Sequence, residues 1–329
     1  MRKLIFLFFL IPFLLSFCAK NLYSQDSLKQ KIKLKEVTVD AARIKTPIRI
    51  LPFSITYRTF EKQQVNNPQL SLQDYLNAIP GLFSQNSQNF AQDLRLSIRG
   101  FGARSAFGIR GIQLLVDGIP ETTPDGQGQL DNLPLGLINS LTVLRGPAST
   151  FYGNASGGVI KINTISDFED NFARFRAQAG SFNQTNLSAT VGIKNKKLKT
   201  ILYQNISQSD GYRNHSSYKQ QVFNARIWYN FSDSSKLNWQ FNFTHSPFAY
   251  DPGGINIESV NENRRQSRQQ NENFNTHESV DHLKTGFQWE KQFSKTLKFN
   301  SYIFYAYREF QGRLPFEFGG LIDLKRNYF

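Results

Sequence analysis

From about residue 170 onward, apolar and polar side chains alternate with a period of two. Phe223, Ala225, Ile227, Tyr229 and Phe231 share one face, opposite Asn224, Arg226 and Asn230. Leu237, Trp239, Phe241 and Phe243 oppose Asn238, Gln240 and Asn242. Leu283, Phe287, Trp289 and Phe293 oppose Lys284, Gln288 and Glu290, and Leu297, Phe299, Ile303, Tyr305 and Tyr307 follow. This is the period of an extended strand. Seven strands are expected, roughly at 172–180, 185–193, 198–208, 220–231, 236–246, 279–292 and 296–308. Most are about 10–14 residues long, enough to cross a bilayer as tilted strands. A soluble β-sandwich also alternates. Its strands are usually shorter, and the apolar faces here are crowded with aromatic rings, as a lipid-facing wall requires. Counted from the first, the even-numbered connections are tight turns, whereas the third and fifth are longer. Short turns on one side and longer loops on the other mark an outer-membrane barrel whose first strand rises from the periplasm.

Residues 47–166 follow a different pattern. Phe53–Tyr57 alternates as a short strand, and Ser71 is placed to cap a helix from Leu72 to about Ala78, ended by Pro80-Gly81. Leu94–Arg99, Gln113–Asp117, Ile138–Leu144 and Gly158–Asn163 read as further strands, with the turn Asp117-Gly118-Ile119-Pro120 closing the second. Short strands with one or two helices give an α+β unit. The expected architecture is thus an α+β domain followed by antiparallel transmembrane β-barrel strands.

The first residues change the compartment. Met1-Arg2-Lys3 precedes an apolar run from Leu4 to Phe17, the pattern of a secretory signal and too short for a spanning helix. Residues 1–24 are expected to be removed, with cleavage after Ser24 or, alternatively, after Ala19. Cys18 is the one cysteine, so the mature chain can form neither a disulfide framework nor a cysteine zinc site. Removing Arg2, Lys3 and Lys20 lowers the 39 basic residues to 36, against 25 acidic ones. The remaining basic residues are scattered, which argues against nucleic acid as a partner. With 30 Phe, 13 Tyr and 3 Trp in a chain of mean hydropathy −0.43, the composition again fits a barrel that hides its apolar face by alternation.

Several phrases are more specific. Residues 94–105 lead into Phe107-Gly108-Ile109-Arg110-Gly111; Leu114–Pro120 and Thr123–Gln127 follow; then come Val143–Gly153 and Ser156–Ile160. With Ala78-Ile79-Pro80-Gly81-Leu82, this ordered series resembles the plug domain of TonB-dependent outer-membrane receptors. The resemblance covers about residues 34–165. It implies a plug inside a 22-stranded barrel in the bacterial outer membrane, and energy-coupled uptake of a scarce ligand rather than an enzymatic reaction. Glu36-Val37-Thr38-Val39 looks like the TonB box (near 36–41, within an N-terminal segment at 25–46), where the family contacts its energy-coupling partner. A short strand of this kind pairs readily with another protein's sheet edge. By resemblance, Arg99-Gly100 and Arg145-Gly146 make plug–barrel contacts, the arginines pairing with barrel glutamates beyond Phe329. Phe101–Gly111 is expected at the plug apex, with Arg104, Ser105 and Arg110, and then Asp125 and Gln127, as candidate ligand contacts. Guanidinium groups suit carboxylates of an anionic chelate. The phrase at 101–108 looks most like the ferric-citrate subgroup, which points to a ferric chelate or siderophore. Cobalamin, copper, a glycan fragment, or a surface receptor that moves no cargo are the alternatives.

His215, His245, His277 and His282 lack metal-ligand spacing, and no phosphate-binding or dinucleotide fingerprint or catalytic constellation is present. No metal and no cofactor are expected. Seven strands cannot close a 22-stranded barrel, so residues 167–329 are expected to be the first part of a truncated wall. Phe329 is read as chance, because Asp323, Lys325 and Asn327 occupy the alternate positions where apolar residues should stand.

Overall fold

The computed structural model describes residues 38–40, 45–60, 67–77, 79–85, 88–105 and 108–329. The expected signal segment, Glu36 and Val37 lie outside them. β1 (Thr38–Asp40) pairs antiparallel with β2 (Lys45–Pro47), Val39 opposite Thr46. The expected coupling strand therefore already has one backbone partner within its own chain.

The first unit contains β3 (Ser54–Thr59), α1 (Gln73–Leu76), β4 (Leu82–Gln85), β5 (Arg95–Ile98), β6 (Ile109–Arg110), β7 (Ile112–Val116), β8 (Ile119–Pro120), β9 (Gln127–Gly128), β10 (Ile138–Arg145), α2 (Ser149–Tyr152) and β11 (Gly158–Thr164). Its central sheet has the order β3-β10-β11-β7-β8, and β11 runs parallel to β7. Both faces are buried. Leu114, Leu141, Val143, Ile160 and Ile162 point into the larger core with Tyr75 and Leu76 of α1, while Leu115, Leu144 and Val159 pack with Tyr152 on the other side. This two-sided burial is why β7 reads as a near-continuous apolar run, interrupted by Gln113, rather than an alternating one. The helix is shorter than expected: Ser71 Oγ accepts from Gln73 N at 3.2 Å, but Asn77 already leaves helical geometry at ψ 137°.

The second unit is one antiparallel sheet of eight strands in sequence order: β12 (Phe172–Ala179), β13 (Thr185–Lys194), β14 (Leu198–Ser209), β15 (Tyr218–Ser232), β16 (Ser235–Tyr250), β17 (His277–Gln292), β18 (Lys298–Arg313) and β19 (Leu321–Tyr328). Seven were expected. β19 pairs with the upper half of β18, Leu321 opposite Arg313. Its outward positions are Asp323, Lys325 and Asn327, and two of them bond across to β18: Lys325 pairs with Glu309 at 3.1 Å, and Tyr305 Oη donates to Asn327 at 2.6 Å. β19 descends from the loop side, and we read this level as lying above the lipid, where an outward strand face can be polar. The alternation rule for spanning strands fails there for that reason. The same effect carries β16 and β17 beyond their expected ends, so the fifth connection shrinks to residues 251–276 and holds two short helices, α3 (Ile257–Glu262) and α4 (Gln269–Asn273).

Along the middle of the wall, odd positions of β15 to β18 face outward, and exposed Phe287, Trp289, Phe299 and Ile303 form part of an apolar belt. Even positions face the plug. Val222, with Ile201 and Tyr203 of β14, packs on Leu137 of the plug, and Gly136 N donates to Tyr203 Oη at 3.3 Å. Among the described residues no helix is long and apolar enough to cross a membrane; the crossing elements are strands.

Candidate functional site

β6 and β9 pair, placing Arg110 opposite Gln127. That short ribbon brings together three of the expected apex residues. Arg110 NH1 donates to the Asp125 carbonyl at 3.3 Å, and its guanidinium lies 3.7 Å from the Asp125 carboxylate. Thr123 Oγ1 donates to the Asp125 carboxylate, and Gln127 N does so at 3.4 Å. The Thr123 hydroxyl, more than Arg110, holds the Asp125 carboxyl below its ordinary range.

Ser105, Arg110 and Gln127 line a cavity of about 400 Å³ between the plug apex and the inner face of β17 to β19. Arg104 is exposed and is not among the lining residues, and Asp125 stands behind Arg110 rather than on the cavity wall. Sequence reasoning missed most of the remaining charged lining. The plug adds Asp93 and Arg95, and the wall adds Glu278, Arg308, Arg313 and Arg326. Arg95 NH2 donates to the Ser105 carbonyl at 2.7 Å, and Arg326 NH1 to Gln127 Oε1 at 3.2 Å. Arg313 lies over the ring of Phe274, 5.2 Å from its centroid. Burial, followed by the Asp131 charge, raises the Asp93 carboxyl to about 6, against the opposing pull of Arg308. Asp131 is also penalised by burial, but its bidentate bonds to Arg308 at 3.0 and 2.6 Å bring it below the ordinary carboxylate range.

Among the described residues the plug meets the wall through three ion pairs of one polarity. Asp117 binds Arg226 of β15 at 2.9 Å, Glu121 binds Lys284 of β17 at 2.5 Å, and Asp131 binds Arg308 of β18 at 2.6 Å. In each, the plug supplies the acid and the wall the base, so none of them is one of the expected contacts of Arg99 and Arg145 with glutamates beyond Phe329. Period-two alternation had already put Arg226 and Lys284 on the polar face. What it could not supply was their plug partners, 109 and 163 residues away.

Arg99 and Arg145 sit together on a different side of the plug, flanking Gly81. Arg145 donates to Pro80 O at 2.6 Å, to Ser54 Oγ at 3.2 Å and to Thr56 Oγ1. Burial, followed by the Arg99 charge, lowers its pKa. Neither arginine meets a carboxylate among the described residues. Gly100 and Gly146 follow them at φ 89° and 100°, with no atom within 4 Å of an added Cβ. Their need for glycine is therefore conformational rather than steric. Thr38 and Val39 of the expected coupling segment lie in β1. Among the described residues no group of three or more His, Cys, Asp or Glu side chains could hold a metal ion.

Residues 48–159 match the family described as TonB-dependent Receptor Plug Domain. The vitamin B12 transporter BtuB of Vibrio vulnificus (strain CMCP6) is 27% identical over 247 residues, 67% of this chain and 37% of that protein. The ferric citrate transporter FecA in its unliganded form superposes with a TM-score of 0.69 at 20% identity, over 85% of this chain and 43% of that one. The ferric yersiniabactin uptake receptor FyuA of Yersinia pestis gives 0.64 at 16% identity, over 84% and 44%. The chain thus spans less than half the length of these relatives. At such identities the two structural likenesses speak for the fold alone.

Proposed function

We propose that this chain, which belongs to the TonB-dependent receptors and so to the β-barrel proteins of the bacterial outer membrane, serves energy-coupled uptake of a scarce ligand, a ferric chelate or siderophore in the first place. Its relatives are transporters and receptors, not enzymes. The observation that carries the uptake reading is the cavity between plug apex and wall, on the side of the longer loops, with the N-terminal strand β1 leading into the plug from the chain's start. Concave, mixed-polarity sites of this size suit a small ligand. Arg95, Arg313 and Arg326 line it without a carboxylate ion pair among the described residues. Three guanidinium groups there favour an anionic chelate over a neutral cargo.

The energy-coupling partner would contact Glu36, Val37, Thr38 and Val39. Arg99 and Arg145 would meet acidic wall residues, and Ser105, Arg110 and Gln127 would touch the ligand, with Asp125 fixing Arg110. Val37→Pro removes a strand donor. It is expected to abolish uptake of the radiolabelled ferric chelate by whole cells while leaving binding at the cell surface intact. Uptake at the native rate would show that coupling runs through another segment. A cobalamin cargo is the second reading, favoured by the BtuB relative. Unimpaired ferric-chelate uptake in a deletion strain, with lost cobalamin uptake, would decide for it.

A further inference from the structure

The geometry points to Asp251 as the joint through which the outer loop 251–276 is tied to the plug, so that the loop forms a strap beside the cavity whose closure depends on where plug residues 89–92 stand. Asp251 is the first residue after β16. Its carboxylate accepts from Asn89 Nδ2 at 2.9 Å and from Gln92 Nε2 at 3.0 Å, both plug side chains. Between them, Phe90 stacks on Tyr218 of β15 with ring centroids 3.7 Å apart, and Ala91 packs with Tyr218 and Ala249. A short plug segment is thus held by the wall in its middle and by the loop at both ends.

The loop can transmit this hold because it is a closed unit. Asp251 N donates to Thr276 O at 3.0 Å across its neck. Arg213, from the neighbouring connection, donates to the carbonyls of Gly253 at 2.6 Å, Pro252 at 3.2 Å and Gln266 at 2.9 Å. Motion at the neck therefore carries the rest of the loop with it. Gln92, Asp251 and Thr276 also line the cavity. A ligand bonding to the Gln92 amide or the Asp251 carboxylate competes with the joint, and a displaced plug apex withdraws both donors. The consequence for transport rests on the uptake reading, but the joint itself does not.

Hydrogen–deuterium exchange of the whole receptor in native outer-membrane vesicles, without ligand, tests it. Asn89→Ala/Gln92→Ala removes both donors and alters no residue of the loop. Exchange in peptides covering 251–276 should speed up about tenfold, the scale set by losing hydrogen bonds to a charged group. Peptides covering β10 should not change. Asp251→Ala removes the acceptor of both plug amides and should loosen the loop and residues 88–93 together. Native protection of the loop in the double alanine variant would overturn the proposal. So would native protection of residues 88–93 in Asp251→Ala, because Asp251 would then act only within its own loop, through its bond from Gly253 N at 2.9 Å.

Discussion

Replacing Lys284 by methionine removes the charge from one of the enclosed plug–wall ion pairs and keeps a side chain of similar length. Lys284 and Glu121 are both more than nine-tenths hidden from solvent, with Nζ 2.5 Å from Oε1. At an effective dielectric near 20, two charges at that separation attract by roughly 6–7 kcal/mol. Taking them out of water costs several kcal/mol per ion, so the net worth of the pair is small. The single substitution keeps the desolvation of Glu121 and loses the attraction. Asn132 still donates to Glu121 at 3.0 Å and offsets part of this. The expected loss is about 3–5 kcal/mol. Glu121→Gln leaves the ammonium without its counter-charge in turn, with only neutral acceptors such as Pro120 O at 2.5 Å. The double variant Glu121→Gln/Lys284→Met buries no charge and should fall within about 1 kcal/mol of the native protein. Pulse proteolysis of the plug across a urea series, in detergent, gives the four midpoints and a coupling energy. Single losses under about 1 kcal/mol, or a double variant as costly as both singles together, would refute the reasoning, because the two charges would then not depend on each other.

Asp93 is raised to about 6 in the folded protein from an ordinary 3.8, so the folded state binds the proton more tightly than the unfolded chain. Stability from this group is therefore highest below about pH 4 and declines as pH rises through about 6. Asp93→Asn should stabilise the protein at pH 7 by up to about 3 kcal/mol and flatten the slope between pH 4 and 6; a slope equal to the native one counts against the assignment. Gly146→Ala should cost about 1–3 kcal/mol through backbone strain alone, since no atom meets the added Cβ. A midpoint indistinguishable from native would show that the turn relaxes. Ile303→Arg, at an outward position 70% exposed, should cost about 2–4 kcal/mol in lipid vesicles, whereas Asp323→Arg should stay within about 0.5 kcal/mol. Equal costs at the two sites would mean that the lipid boundary is misplaced.

The sequence alone determined which wall residues face outward and which face the plug. Side-chain alternation is a local property of extended backbone, and a slip of one residue would send every aromatic ring to the wrong face. It also determined which connections are turns and which are loops, and that residues 113–117 form a buried strand, because Leu114, Leu115 and Val116 leave little wet face. The ordered glycine and arginine phrases carried the family.

Only the tertiary structure decided where the strands end, because the rule that the outward face must be apolar lapses where the wall rises above the lipid, as at Asp323 and Lys325. The cavity was also decided there. Gln127 meets Arg326 across 199 residues of chain, and no local pattern links an apex ribbon to β19. The same holds for Asp117, Glu121 and Asp131: as sequence they are turn and loop acids. They become ion-pair partners only because the packing of plug on wall encloses Asp117 and Glu121, half-buries Asp131 and brings one base to each.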